Sequence, residues 1–227
     1  MKSDFINNMT HEFKTPIATI NLAIDAIKKK LTGKVDKKSF SYLDIIKDEN
    51  NRMNNQVENV LMISQLEKEK IVLQKNMYDI NQLVELAVSR VDLLSKSVDA
   101  KIIKTFEKKE NTMLLAKEEI INVFVNILEN SLKYSKSNPI IEIVVKNEKS
   151  NTIILFKDNG IGMNKKVKSK IFEKFYRESS GNIHNIKGHG LGLAFVKKIV
   201  DMHSGMISVN SKEGKGSKFT ITFTNVN

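Results

Sequence analysis

His11 and Glu12 sit side by side in THEFKTPI (residues 10–17), with Thr15 one helical turn on and Pro16 behind it. An imidazole beside a carboxylate can have its tautomer fixed or lose a proton to it, the pairing needed for general base or nucleophilic work. Pro16 has no N–H and loosens or kinks a helix just past the histidine. On a helical wheel His11 falls off the apolar face of Met9, Phe13, Ile17 and Ile20, which predicts an accessible ring.

Four further clusters carry possible chemistry, each with a plainer reading beside it. In NVFVNILENSLKYS (122–135), Asn126 and Asn130 are four residues apart and share a helix face. Two amide oxygens suit Mg²⁺ and Lys133 supplies a point charge for phosphates, though a polar helix face would look the same. DNGIGM (158–163) offers Asp158 as acceptor for an exocyclic amine, with glycines for close approach, or simply a turn. GHGLGL, from Gly188, runs into a helix start whose N–H groups favour phosphate. It lacks both the preceding strand of a dinucleotide fingerprint and a GK[ST] sequence. In IFEKFYR (171–177), Phe172 and Phe175 could be core, while Arg177 could reach a terminal phosphate.

The elements that must position these groups change character near residue 70. Upstream, Ile17, Ile20, Ile24, Ile27 and Leu31, then Leu43, Ile46, Asn50, Met53, Val57 and Val60, recur at three-four spacing on either side of Gly33. This predicts two helices in an antiparallel hairpin, whose wide stripes call for a second copy and a four-helix bundle, with Asn50 as a polar register-setter in the seam. Downstream, strands are predicted at 71–75, 100–107, 140–147, 151–157, 206–211 and 217–224, and helices at 80–96, 116–135 and 190–203. That makes an α+β sandwich of three helices on a mixed sheet. The glycine-bearing loop 158–189 is the expected functional region.

Composition narrows the classes. Of 227 residues, 37 are Lys or Arg and 26 Asp or Glu, for a net charge of +11. Only three are Arg, and the lysines around Gly33 lack interleaved aromatics, so direct nucleic-acid binding is not expected. The absence of cysteine excludes disulfides, thiolate metal sites and a cysteine nucleophile. No apolar run reaches the ~18–20 residues that span a bilayer, and the first ten residues do not read as a signal peptide.

Taken in order, the clusters resemble the catalytic core of a two-component sensor histidine kinase. THEFKTP resembles the H-box, NILENSLKYS the N-box, DNGIGM the G1 box, IFEKFYR the F-box and GHGLGL the G2 box. The resemblance implies a dimerisation and histidine-phosphotransfer hairpin over 1–70 and an ATP-binding α/β sandwich of the Bergerat (GHKL) type over 75–227. It implies His11 as phospho-acceptor, Glu12 as its general base and Thr15 as orienting water for dephosphorylation of the partner regulator. It implies ATP as substrate and Mg²⁺ as cofactor, with Asn130 as metal ligand supported by Asn126. Lys133 and Arg177 are then expected on phosphates, Tyr134 near the adenine and Asp158 on its amine, with Gly160 and Gly162 shaping that pocket. Gly188, Gly190, Leu191 and Gly192 belong to the phosphate-side lid, and Ser217 matches a position near the base. Expected partners are a second copy and the receiver domain of a response regulator. The expected setting is the cytoplasmic part, itself soluble, of a sensor anchored in the inner membrane through segments outside this sequence. A GHKL ATPase or clamp is the competing class, but its water-activating Glu would fall where Asn126 stands. A non-catalytic dimerisation module with a degenerate nucleotide site is the third, against which the complete set of boxes argues.

Overall fold

The chain forms two compact units, Met1–Ile71 and Val72–Asn227. The computed structural model describes residues 17–25, 27, 43, 46, 47, 50, 53, 73–107, 111–135, 137–176 and 190–224. In the first unit, residues 17–25 are helical, as is every described position from 43 to 53. Ile17 and Ile24, one heptad apart, are each 3% exposed. The Asn50 amide donates to the Ile17 carbonyl at 2.5 Å, and Lys47 pairs with Asp25 at 2.6 Å. Asn50 therefore ties the two helical segments of its own chain together.

In the second unit the elements are β1 (Asn76–Asp79), α1 (Ile80–Arg90), α2 (Asp92–Ser97), β2 (Lys101–Phe106), β3 (Thr112–Leu115) and α3 (Lys117–Lys133). They continue with β4 (Ile140–Glu148), β5 (Asn151–Asp158), α4 (Lys165–Lys170), α5 (Gly192–Met202), β6 (Met206–Ser211) and β7 (Ser217–Thr224). The main sheet runs β2-β4-β5-β7-β6; β2 lies parallel to β4 and the other pairs are antiparallel. A two-stranded antiparallel sheet pairs β1 with β3.

Alternation at period two gives the main sheet one buried face. Ile141, Ile143 and Val145 on β4, Ile154 and Phe156 on β5, and Phe219, Ile221 and Phe223 on β7 are all buried. The helices supply the opposing layer: Ile120, Phe124, Ile127 and Leu128 of α3 are fully buried, and Phe124 meets Phe156 with ring centroids 5.4 Å apart. The expected α+β sandwich is the fold.

Details depart from the periodicity. The first strand among the described residues is 76–79; of the expected 71–75, residues 73–75 are not strand and 71 and 72 lie outside the described residues. The strand is fixed by pairing with β3, itself too short for periodicity to reveal. The expected helix 80–96 is two helices, interrupted at Val91. Within 158–189, the six residues of α4 are helical, capped by the Asn164 side chain accepting from Val167 N at 2.9 Å.

Candidate functional site

Asp158 ends β5, the central strand of the main sheet, and is 8% exposed. Its Oδ1 accepts from Gly160 N at 2.8 Å and from Ser217 N at 3.1 Å. Both backbone donors go to one oxygen, and the Ser131 hydroxyl is a third hydrogen-bonding neighbour of the carboxyl. Burial pushes the carboxyl above its usual range, while those two N–H groups and the Ser131 hydroxyl act in the opposite direction.

The loop after Asp158 interlocks with the β6–β7 turn. Gly214 N donates to Ile161 O at 2.6 Å. Gly162 and Gly216 have φ of +68° and +81°, and a Cβ on either would overlap a backbone carbonyl, that of Lys212 or of Asp158. Ser211 Oγ accepts from Met163 N at 2.8 Å and donates to Gly216 O at 2.9 Å. Its one proton is thereby used, so in the 3.0 Å contact between Ser211 and Ser217 the donor is Ser217. On the other side, Tyr134 caps the end of α3, and its carbonyl accepts from Ile161 N at 3.0 Å. Gly160 passes so close to that carbonyl that a Cβ would come within 2.6 Å.

The polar face of α3 lies next to this pocket. Asn126 donates to Asn122 O at 2.8 Å, and its Oδ1 abuts Gly192, where a Cβ would come within 2.4 Å of it and force the amide to shift. Asn126 thus seats the start of α5. Asn130, half-buried, lies one turn on. Its amide oxygen is a hard donor of the kind Mg²⁺ takes, one protein oxygen completed by substrate phosphates and water, so the residue fits that ion. Lys133 pairs with Glu129 at 2.5 Å, both partly exposed. Such a pair is worth only about 0.3–0.5 kcal/mol, little enough for a phosphate to redirect the ammonium.

α5 opens with no side-chain cap and no acidic residue in its first turn, so the N–H groups of Gly192 and the two residues after it have no capping side chain. Just before it, Gly190 (φ +70°) accepts from Phe175 N at 2.8 Å, and Leu191 is buried. The structure therefore brings Asn126, Asn130, Lys133, Tyr134, Asp158, Gly160, Gly162, Gly190, Leu191, Gly192 and Ser217 into one domain around α3 and the ends of β5 and β7. His11, Glu12, Thr15, Arg177 and Gly188 lie outside the described residues. Sequence reasoning missed Ser131, Ser211 and the site role of Gly216. An isolated serine carries no signal, but a glycine three residues after the Lys-Glu pair of a hairpin turn could have been weighed.

A one-sided mixed sheet under three helices, with a buried Asp at a strand end and glycine loops beside a helix start, defines a nucleotide-binding sandwich of the histidine kinase and gyrase type. Residues 116–226 match the family model described as histidine kinase-, DNA gyrase B- and HSP90-like ATPase, and residues 1–69 match that of the His Kinase A (phospho-acceptor) domain. The chain belongs to the sensor histidine kinases of two-component systems. It is 40% identical over 223 residues to the sensor protein RprX of Bacteroides fragilis (97% of this chain, 43% of that protein). It is 31% identical over 223 residues to the sensor protein kinase WalK of Staphylococcus aureus (97% and 53%). The chain thus spans about half the length of these relatives. Full-length ShkA in complex with AMPPNP shares the fold, with a TM-score of 0.79 at 19% identity over 98% of this chain and 46% of that one. So does the histidine kinase AdeS of Acinetobacter baumannii, with a TM-score of 0.65 at 21% identity over 96% and 98%.

Proposed function

We propose that the chain transfers the γ-phosphoryl group of ATP to His11 and passes it on to an aspartate of a response-regulator receiver domain. The observation that carries this reading is the Asp158 carboxylate at the end of β5, buried and held by two backbone N–H groups on one oxygen, with more acceptor sites than those donors fill. That is a built acceptor for a purine amine. Its neighbours continue the logic: Tyr134 and Gly160 wall the base side, while the uncapped start of α5 and Lys133 serve the phosphates. Mg²⁺, when bound, neutralises phosphate charge, and Asn130 is the residue that would hold it.

In the transfer, an imidazole nitrogen of His11 bonds to the γ-phosphorus as the bond to the bridging oxygen breaks and ADP leaves. Glu12 takes the imidazole proton. Catalysis is then mostly positioning and charge neutralisation. Arg177 and Gly188 complete the phosphate side, and Ser217 lines the base side. Thr15 orients water for dephosphorylating the regulator. Asn126 sits where a hydrolase of this superfamily carries its basic glutamate, and an amide cannot take water's proton, which favours transfer to histidine over hydrolysis. The chain acts as a homodimer, and the longer protein of which it is the core is anchored in a membrane. Among the described residues no helix is long and apolar enough to cross one.

Asp158→Asn tests the nucleotide reading. Asparagine keeps an acceptor for Gly160 and Ser217 but can turn an NH₂ toward the purine amine. The expected result is a native melting curve with ATP affinity reduced about 10- to 100-fold. Unchanged affinity would contradict the reading.

A further inference from the structure

Helix α4 reads KKVKSK, and of its six residues Val167 alone is buried. Lys165, Lys166, Lys168 and Lys170 occupy the rest of its surface, with no acidic residue in the helix. The loop before it is tied to the β6–β7 turn: Ile161 O accepts from Gly214 N, and Met163 N donates to Ser211 Oγ. That turn adds exposed Lys212 and Lys215 against Glu213. None of these six lysines makes an ion pair among the described residues. Elsewhere in the same unit, Lys96, Lys104, Lys133, Lys146, Lys157 and Lys197 each pair with a carboxylate. Helix stability does not account for the four lysines of α4. Lys168 and Lys170 lie in the last turn, where a cation suits the helix dipole, but Lys165 and Lys166 lie in the first, where it does not.

We propose that this lysine face docks on an anionic lipid bilayer. Ammonium groups gathered without counter-charge repel one another, and an extended anionic surface relieves the repulsion. The helix and the turn carry no Arg and no aromatic side chain. Those are the residues that anchor protein–protein interfaces and read nucleic acid. Lysine is a hydrated point charge on a flexible stem, with no planar fork to fix a partner's geometry. Fluid anionic headgroups demand no fixed geometry, and each lysine brought near them strengthens binding about fivefold. The membrane anchor proposed above would keep such a surface close. Lipid binding by the chain itself does not depend on that anchor.

The test is co-sedimentation of the full chain with vesicles of phosphatidylcholine alone and of phosphatidylcholine with about one-third phosphatidylglycerol, at low and high salt. The chain should pellet with the anionic vesicles at low salt, stay in solution with the neutral ones, and be released by high salt. Two variants of equal net charge locate the contact. One combines Lys165→Gln, Lys166→Gln, Lys168→Gln and Lys170→Gln; the control combines Lys28→Gln, Lys29→Gln, Lys30→Gln and Lys34→Gln, around Gly33. The α4 variant should bind at least about tenfold more weakly, and the control should lose about threefold at most. Gln is a good helix former and none of the four α4 positions is buried, so the melting curve of that variant should stay native. Equal losses in the two variants would assign the binding to net charge and not to this face. A wild-type chain left in solution by the anionic vesicles would exclude the bilayer in favour of an acidic protein. Either overturns the proposal.

Discussion

Gly214 and Gly216 sit in the same turn with nearly the same backbone, φ +76° and +81°, but in different surroundings. A Cβ on Gly214 would meet nothing within 4 Å, whereas at Gly216 it would run into the Asp158 carbonyl. Gly214→Ala should therefore cost only the left-handed penalty of about 1–2 kcal/mol. Gly216→Ala should cost more, and by pushing on Asp158 it should also abolish detectable ATP binding. Thermal melts of both variants check the first statement and nucleotide titration the second. At this scale the sequence was legible where chemistry is spelled in adjacent residues. Asp158 with Gly160 and Gly162, or Asn126 with Asn130, announce themselves by spacing. Ser131 and Ser211 do not, since each is one hydroxyl in an otherwise ordinary amphipathic element, and only the fold brings them to Asp158. Nor could spacing tell that Lys133 rests on Glu129, or that Asn126 abuts Gly192.

Helix α3 carries much of the site, yet its N-cap, Ala116, has no capping side chain of its own. The Ala116 N–H instead donates to Nε2 of His203 at 3.0 Å, and the other ring nitrogen of His203 donates to Ile199 O at 2.8 Å. This needs the neutral ring, since a protonated Nε2 would turn an N–H against an N–H. Burial lowers the His203 pKa below the ordinary 6.5; of the charged groups around it, Lys75 lowers it further while Glu119 raises it. The folded state thus binds a proton less readily than the unfolded chain. The stabilisation is fully present above pH about 6.5 and is lost as pH falls through the lower folded value. Melts of the wild-type protein should show a lower Tm at pH 5.5 than at pH 7.5, roughly bracketing that titration. In His203→Gln, whose amide oxygen can still accept from Ala116, this component should be absent. An equal pH dependence in both proteins would exclude His203 as its source. Elements were legible in proportion to their length. The long helices α3 and α5 and the strands β4, β5, β6 and β7 carry enough period to be read. The four residues of β3 and the six of α4 do not, and β1 is placed by its pairing with β3 and not by its own apolar content.

At the scale of the whole molecule, the described residues of the first unit include apolar side chains left exposed beside the buried ones. Ile17 and Ile24 are buried within the chain, but Ile20 and Ile27 are 39% and 44% exposed, and Ile46 and Met53 are 48% and 43% exposed. Each exposed pair is one heptad apart, the spacing that packs helices side by side in a bundle. A second copy is the natural cover, which accords with the proposed homodimer. Ile20→Glu combined with Ile46→Glu should convert a dimer to a monomer by sedimentation equilibrium while leaving the α/β unit able to bind ATP. A variant that stays dimeric would place the interface elsewhere. The two helical segments were legible because their stripes are long, while the expected connection around Gly33 lies outside the described residues. Which half of each stripe stays within the chain was not legible, because a periodic pattern does not say which partner covers it.

The most direct measurement is incubation of the chain with Mg²⁺ and γ-labelled ATP beside His11→Gln and Asn130→Asp. The expected label is stable in base, labile in acid, dependent on Mg²⁺ and absent from both variants. Label retained by His11→Gln would contradict the assignment of the phospho-acceptor, and with it the proposed phosphoryl transfer through this histidine.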